Sequence, residues 1–184
     1  DAKMSEPIKV ALKLLLTAGQ RKAEIAQAEW QDFDLNSCWW EIPKEKTKNG
    51  KSHRVPLSSM ALELLKQAKS LSPASRWVIP SHLKDRHVTE PAIDHAVRHN
   101  EAVFGFHFTP HDLRRTFATG LAKIEIDPNI IGKLLNHSES GVTKKIYIRH
   151  SYDGKKREAM ESWARKLESI ISGEPVGKIV ELRA

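Results

Sequence analysis

The sequence predicts a mainly helical α+β domain that contains one small three-stranded antiparallel sheet. Apolar residues recur at helical spacing near the start of the chain and again throughout its second half. Between these regions lie two short segments, residues 37–42 and 52–57, that are rich in the aromatic and branched residues typical of strands. The connection between them contains Asn49-Gly50, a dipeptide that is strongly favoured in β-hairpin turns.

The first half of the chain is predicted to contain three helices and three strands. The first helix begins near Pro7 and ends at Gly19, because proline suits a first helical turn and glycine suits a helix end. A second helix runs from residue 21 or 22 to about residue 29, and a third begins after Ser58, whose side chain suits an N-cap. Residues 76–80 are predicted as the third strand of the sheet, which ends at Pro80.

The second half is predicted to be helical. Three of its helices begin after a residue whose side chain suits an N-cap or a first turn: Thr89, Thr109 and Asp127. A short helix is expected over residues 141–148 and a long last helix over residues 153–171. After a Gly-Glu-Pro break, residues 178–182 alternate as a lone terminal strand.

At 184 residues, the chain has the length of one domain, which we place at residues 1–172. Residues 173–184 form a tail whose short strand is expected to dock on its own subunit or on a neighbouring one. No apolar run reaches the roughly 18 residues of a membrane span, and the start of the chain lacks a secretory pattern. A single cysteine excludes an internal disulfide and a Cys-based zinc site, so we expect a cytoplasmic protein without contact to a membrane.

Positive charge is concentrated in two runs of the sequence. The net charge of +7 and the isoelectric point near 9.5 are typical of proteins that bind polyanions. A basic run is most often a solvated face, but these two, within residues 44–54 and 144–157, flank the residues with candidate chemistry. We therefore predict phosphate contacts from Lys44, Lys46, Lys51, Arg54, Lys144, Lys145 and Arg149.

His111 and Arg114 lie three residues apart just inside a predicted helix N-terminus, with Thr109 as the N-cap and Asp112 at the third helical position. Backbone N–H groups, the helix dipole, an imidazole and a guanidinium then favour a bound anion. The alternative is a capping histidine beside a surface arginine. Arg115 is four residues from His111 and also reaches this face, so spacing alone leaves the choice between the two arginines open, and Arg115 is a further candidate for phosphate contact.

Tyr147 is one of only two tyrosines, and it follows His137 by ten residues among basic neighbours. A phenol surrounded by cations is well suited to attack a phosphodiester, because the cations stabilise the charge on the phosphate oxygens. Two further residues have simpler interpretations when taken alone. Arg21 is placed for a surface ion pair with Glu24, and Lys48 is placed as a solvated lysine at the predicted hairpin.

His95 and His99 are four residues apart on a predicted helix, a spacing that occurs in helical metal sites. The zinc protease pattern places glutamate directly after the first histidine, whereas Ala96 stands here. Neither a carboxylate nor a third ligand is evident beside them, so the sequence predicts no metal site.

In their order along the chain, these residues resemble the catalytic domain of the tyrosine recombinases, the phage-type integrase family. Its Gly-x-Arg-x-x-Glu motif matches residues 19–24, and Lys48 precedes Val55-Pro56-Leu57 where that family has its hairpin lysine. The His-x-Leu-Arg motif matches residues 111–114, which selects Arg114 over Arg115. Lys46 and Lys51 are the reserve candidates for the lysine.

Two further motifs complete the resemblance, which extends over about residues 7–165. The Leu-Leu-Gly-His motif matches residues 134–137, with Asn136 in place of the glycine. The nucleophile motif matches Ile146-Tyr147, one residue later than the common spacing, so Tyr152 is the alternative nucleophile. The fold that the resemblance implies is a helical integrase-like catalytic domain.

The resemblance implies a site-specific DNA recombinase with six catalytic residues: Arg21, Lys48, His111, Arg114, His137 and Tyr147. In the chemistry of that family, the tyrosine attacks a scissile phosphate and forms a 3′-phosphotyrosyl link with a free 5′-hydroxyl. The two arginines and the second histidine neutralise the non-bridging oxygens. The lysine protonates the leaving oxygen, and the first histidine assists the proton at the tyrosine. No cofactor, metal or ATP is required.

The implied partner is double-stranded DNA, on which family members assemble as tetramers during synapsis, and a monomer is expected without DNA. Relatives carry a preceding helical domain that clamps the DNA from the other side, so we expect this chain to be a catalytic fragment. Two alternative functions remain at this stage. A type IB topoisomerase uses residues of the same types. A basic DNA-binding module without catalysis requires only the positive charge of the chain.

Overall fold

The structure is a computed structural model that describes residues 2–137 and 152–174. The helices of the described residues are α1 (Glu6–Ala18), α2 (Lys22–Ala26), α3 (Ser59–Leu71), α4 (Glu90–His99), α5 (Glu101–Phe104), α6 (Pro110–Lys123), α7 (Pro128–Leu134) and α8 (Asp153–Ser172). The strands are β1 (Phe33–Asp34), β2 (Trp39–Ile42) and β3 (His53–Pro56). The expected short helix at 141–148 and terminal strand at 178–182 lie outside the described residues. Within the described part, no helix has the length and apolar character of a membrane span.

The small antiparallel sheet has the strand order β1-β2-β3, which confirms the predicted fold class. The prediction that residues 76–80 supply its third strand is wrong, because β1 takes that place. Trp77 and Pro80 form only isolated bridges, with Glu29 and His87. Val78 and Ile79 between them are almost fully buried. The branched residues of this segment therefore serve the core, a role that sequence patterns do not separate from a strand.

The connection between β2 and β3 is longer than the predicted hairpin. The two strands pair in antiparallel register, with Trp40 opposite Val55. A 3₁₀ turn (Lys44–Lys46) follows β2, and Gly50 closes a second turn by donating its N–H to the carbonyl oxygen of Thr47 at 3.4 Å. The Thr47 hydroxyl donates to carbonyl oxygens within the same loop, at 3.0 and 2.8 Å. A shaped loop, rather than a two-residue turn, therefore carries Lys48.

The helix ends follow the local rules that predicted them. Helix α1 ends at Gly19, which has a left-handed φ of 66°. The Ser58 hydroxyl accepts a hydrogen bond from the N–H of Ala61 at the start of α3. At α6, the N–H and the hydroxyl of Thr109 both donate to the Asp112 carboxylate, at 2.9 and 2.7 Å. Helix α2 is shorter than predicted and ends at Ala26.

Two hydrophobic clusters share helix α1. One lies between α1, α3, α4 and the sheet, and it includes Leu15 and Trp40. The other joins α6, α7 and α8 around Phe117 and Trp163. The Trp163 indole also donates to the Leu16 carbonyl oxygen at 2.9 Å. This packing brings the C-terminal end of α1 next to the first turns of α6 and the C-terminal end of α7.

Candidate active site

One cavity of about 650 Å³ lies where these helix ends meet the loop between β2 and β3. Four of the predicted catalytic residues line it: Arg21, Lys48, His111 and Arg114. Arg21 follows α1 and Arg114 lies on α6, so these two residues of the cavity are 93 positions apart in the sequence. The predicted nucleophile Tyr147 and the predicted phosphate contacts Lys144, Lys145 and Arg149 lie outside the described residues.

The side chain of Arg114 is fixed by backbone carbonyl groups. It is 6% exposed, and its two terminal nitrogens donate to the carbonyl oxygens of Gly19 at 2.7 Å and Leu135 at 2.6 Å. Burial, followed by the charge of Arg21, lowers the pKa of Arg114 to about 10, while Glu24 opposes this shift. The guanidinium therefore remains charged at neutral pH. Among the described residues, its hydrogen bonds use two of its five N–H donors.

Arg21 is oriented by the ion pair that its spacing predicted. Its guanidinium lies 2.9 Å from the Glu24 carboxylate, and its backbone N–H donates to the same carboxylate at 2.7 Å. Glu24 is only 1% exposed, so this is not the surface pair expected from the sequence. The second terminal nitrogen of Arg21 lies 3.4 Å from the Asn136 carbonyl oxygen. The buried carboxylate thus holds the arginine at the rim of the cavity.

The residues that line the cavity carry charges of both signs, with the carboxylates of Glu24, Glu45, Glu90 and Asp94 among them. Lys22 also lines it, but Asp94 neutralises its ammonium at 2.5 Å. Glu24 pairs with Arg21. Across residues 2–137 and 152–174, neither Arg114 nor Lys48 forms an ion pair with a carboxylate. A partly enclosed site with unneutralised cations attracts an anion, because the Coulomb energy is larger there than in bulk water.

His137 follows helix α7 and is not among the residues that line the cavity, but the charges of Arg114 and Arg21 act on it. Partial burial lowers the pKa of His137, and the charges of Arg114 and Arg21 lower it further. The imidazole is therefore neutral at neutral pH in the unliganded protein. Its backbone N–H donates to the Gly132 carbonyl oxygen at 3.0 Å. The residue before it, Asn136, has a left-handed φ of 50°, which explains why the related motif has glycine there.

Gln20 and His53 support this helix end, and sequence reasoning missed both. Gln20 is fully buried, and its amide donates to the Leu134 carbonyl oxygen at 3.0 Å. His53 on β3 lies 3.0 Å from the same oxygen through its Nε2 atom. Burial lowers the pKa of His53 to about 4, so the ring is neutral and acts as a donor. The only signal in the sequence is that each is a polar residue next to a motif, and their burial is seen in the structure alone.

Lys48 is exposed and reaches the cavity from the loop, with Asn49 next to it bonded to Asn136. The reserve lysines differ from it. The Lys46 ammonium is held by Glu29 at 2.9 Å and Asp32 at 2.6 Å, which commits it to the fold, whereas Lys51 is exposed.

The other predicted phosphate contacts are spread around the domain. Arg54 stacks on Trp39 and pairs with Asp153 at 2.7 Å, on the opposite face of β3 from His53. Arg115 lines a separate cavity between α6 and α8, so the structure brings Arg114, and not Arg115, to the cavity that Arg21 and Lys48 line. Lys44 is exposed beside Glu45.

His111 is exposed at the first turn of α6 and lines the cavity. The rings of His95 and His99 stack at 5.8 Å on α4. In the ranges 2–137 and 152–174, no three His, Cys, Asp or Glu side chains are grouped to hold a metal ion.

Comparisons with known proteins identify relatives of this chain. Prophage integrase IntA of Escherichia coli strain K12 is 31% identical over 154 residues, which are 83% of this chain and 37% of IntA. Tyrosine recombinase XerA of Pyrococcus horikoshii is 28% identical over 172 residues, 90% of this chain and 57% of that protein. Among solved structures, the integrase of mycobacterium phage Brujita superimposes with a TM-score of 0.69 at 21% identity, covering 86% of this chain and 52% of that one.

The chain therefore corresponds to a part of its relatives, since it spans 37% of IntA and 42% of prophage integrase IntZ. Residues 2–153 match the phage integrase family, which covers every motif from the first arginine to the predicted nucleophile. With this match over most of its length, the chain belongs to the phage integrase family.

Proposed function

We propose that this chain is the catalytic part of a site-specific DNA recombinase that cuts and rejoins DNA through a 3′-phosphotyrosyl intermediate. The observation that carries the proposal is the meeting of Arg21, Lys48, His111 and Arg114 in one cavity, where neither Lys48 nor Arg114 forms an ion pair with a carboxylate of the described residues. These side chains come from three separate motifs. Purely structural roles would not require them to meet at one place. Their convergence fits the binding of a single phosphate group.

In this proposal, the two arginines bind the non-bridging oxygens of the scissile phosphate. Arg114 has donors in a fixed orientation, because Gly19 and Leu135 hold its guanidinium from behind. Arg21 is held in the same way by Glu24. His137 supplies a further donor. Fixed donors stabilise the extra charge of the pentavalent transition state without reorganising as it forms.

Proton transfers accompany the exchange of bonds at phosphorus. The Tyr147 oxygen forms a bond to phosphorus while the bond to the 5′ oxygen breaks. The phenolic proton leaves toward His111, and the Lys48 ammonium donates a proton to the departing 5′ oxygen. One phosphodiester is replaced by one phosphotyrosine ester, so the bond energy is conserved. A 5′-hydroxyl of a second strand can then attack in reverse, which needs neither ATP nor a cofactor.

The proposed partner is double-stranded DNA, and the protein acts on it in the cytoplasm as a tetramer of four subunits at synapsis. Solved relatives with this fold include a lambda integrase dimer bound to a COC′ core site and a lambda integrase tetramer bound to a Holliday junction. The basic character of the chain supports the same partner. Residues 1–172 form the catalytic unit in this proposal, and residues 173–184 dock on it or on a neighbour.

A covalent-trapping experiment tests the proposal. The chain is incubated with a pool of nicked duplexes of randomised core sequence, on which cleavage releases a short strand and leaves the protein attached. We expect a denaturation-resistant adduct with the unchanged chain and with Tyr152→Phe, and none with Tyr147→Phe. Adduct from Tyr147→Phe but not from Tyr152→Phe would assign the nucleophile to Tyr152. Binding without any adduct would leave a DNA-binding module, and plasmid relaxation without strand exchange would indicate a topoisomerase.

A further inference from the structure

Asn136 stands where the related motif has glycine, and it meets the same backbone requirement. Its φ of 50° is left-handed, a conformation that glycine adopts freely and that asparagine tolerates better than most residues. The chain therefore keeps the shape of this helix end and adds a side chain to it. That side chain is half-buried, and it points to the loop between β2 and β3.

The side chains of Asn49 and Asn136 form a reciprocal amide pair. The Asn49 amide nitrogen donates to the Asn136 side-chain oxygen at 2.9 Å, and the Asn136 amide nitrogen donates to the Asn49 side-chain oxygen at 3.4 Å. The Asn49 amide nitrogen also lies 3.4 Å from the Asn136 carbonyl oxygen. The Asn49 side-chain oxygen accepts the N–H of Lys51 at 3.2 Å, which ties the pair to the turn of its own loop.

The pair connects two segments that each carry a proposed catalytic residue. Asn49 directly follows Lys48, and Asn136 directly precedes His137. On the other side of Lys48, the Lys46 ammonium is held by Glu29 and Asp32. Lys48 thus lies between two anchored residues, while its own side chain is exposed.

We propose that Asn49 and Asn136 are positioning residues that hold the Lys48 loop against the C-terminal end of α7. This inference rests on the function proposed above. A lysine side chain has four rotatable carbon–carbon bonds, so an unanchored loop would let its ammonium sample a large volume. Anchoring the neighbouring residue raises the fraction of time that the ammonium spends near the leaving 5′ oxygen. The amide pair acts on Lys48 and makes no contact with the phosphate itself.

Asn136→Gly is the sharpest variant, because glycine keeps the left-handed backbone and removes only the amide. We expect Asn136→Gly and Asn49→Ala each to slow single-turnover cleavage about tenfold on ordinary DNA, with unchanged DNA binding. The double variant should be no slower than Asn49→Ala, since that variant already removes every hydrogen bond of the pair. Asn36→Gly, the same substitution in an exposed turn, is the matched control and should cleave at the normal rate.

A substrate with sulfur in place of the bridging 5′ oxygen separates positioning of Lys48 from other effects. A thiolate leaves without protonation, so the defect of both variants should shrink to less than about twofold. Equal defects on the oxygen and sulfur substrates would overturn the inference, as would normal rates on ordinary DNA. Hydrogen exchange of residues 43–52 without DNA gives a readout besides activity, and it should be faster in Asn136→Gly than in the unchanged chain.

These measurements also distinguish failure of the inference from failure of the proposed function. If the unchanged chain forms no adduct, the recombinase proposal fails. Faster hydrogen exchange in Asn136→Gly would then still show that the amide pair holds the loop. If the unchanged chain cleaves DNA, and Asn136→Gly shows both normal hydrogen exchange and normal cleavage, the amide pair does not position Lys48.

Discussion

The guanidinium of Arg114 donates a hydrogen bond of 2.6 Å to the carbonyl oxygen of Leu135, two residues before His137. An arginine that faces the proposed phosphate site therefore also holds the segment that carries a second proposed ligand of that phosphate. A helix C-terminus is electronegative, so a buried cation is stabilised there before any phosphate arrives. The Arg114 guanidinium therefore holds the segments around the cavity together and is also the group proposed to bind the phosphate there.

Arg114→Lys should impair cleavage almost as much as Arg114→Ala. One ammonium cannot donate to Gly19, to Leu135 and to two phosphate oxygens in fixed directions, whereas a guanidinium can. We expect single-turnover adduct formation to fall at least about a hundredfold in both variants. Arg115→Ala is the matched control, and it should cleave normally because Arg115 lies outside the proposed catalytic cavity. Full activity of the lysine variant would remove Arg114 from the proposed phosphate site.

Lys48→Ala should slow cleavage about a hundredfold or more on ordinary DNA and much less on the sulfur-substituted substrate. The reason is that only the ordinary leaving group needs a proton. Lys51→Ala, from the same loop, serves as the control, and its single-turnover cleavage rate at saturating DNA should be normal on both substrates. Identical defects of Lys48→Ala on the two substrates would mean that Lys48 binds DNA without acting as the acid.

Lys46→Ala should instead lower the stability of the fold. Its removal leaves the carboxylates of Glu29 and Asp32 close together without their cation. Because the ammonium is only about one-seventh exposed, with a side-chain exposure of 15%, we expect a loss of about 2 kcal/mol in the free energy of unfolding measured with urea. An unchanged urea midpoint together with a cleavage defect would assign Lys46, and not Lys48, to the chemistry.

Gly19→Ala tests the close approach of α1 to α6. The residue has a φ of +66°, and a Cβ atom there would lie 2.2 Å from the Phe117 ring, which is fully buried. We expect a loss of about 3 kcal/mol in the free energy of unfolding, from backbone strain and overpacking together. Gly50→Ala has the same φ but meets no atom of the described residues within 4 Å, so it should lose only about 1 kcal/mol. Equal losses in the two variants would show that Phe117 moves aside freely.

The parts of this structure that the sequence could predict depend on neighbours along the chain. The left-handed end at Gly19 and the Thr109–Asp112 cap each need only a few adjacent residues. The grouping of the proposed catalytic residues came from the spacing of the family motifs, and four of them line one cavity.

What the sequence could not predict depends on distant partners. The aromatic and branched residues around Val78 are buried by the core rather than paired in the sheet, and their pattern is the same in both cases. Lys46 bonds to Glu29 and Asp32, which are 17 and 14 residues away in the sequence. A run of lysines does not indicate which of them forms such contacts. Gln20 and His53 support α7 from 114 and 81 residues away.

His53 gives the stability of the domain a specific dependence on pH. Its pKa is lowered from 6.5 to about 4, first by burial and then by the nearby cations Lys156, Arg114 and Arg21, while the hydrogen bond to Leu134 opposes the shift. Between these two values the unfolded chain binds a proton that the folded protein does not. The contribution of His53 to stability is therefore lost progressively as the pH falls from about 6.5 toward 4.

His53→Gln should remove this dependence, because glutamine can still donate to the Leu134 carbonyl oxygen but does not titrate. Between pH 7 and pH 5, the free energy of unfolding of the unchanged chain should fall by about 2 kcal/mol more than that of the variant. Urea unfolding at the two pH values measures the difference. His82→Gln replaces an exposed histidine and should keep the pH dependence of the unchanged chain. If His53→Gln loses stability on acidification as steeply as the unchanged chain does, then the pKa of His53 is not lowered in the folded protein, and burial does not keep the ring neutral.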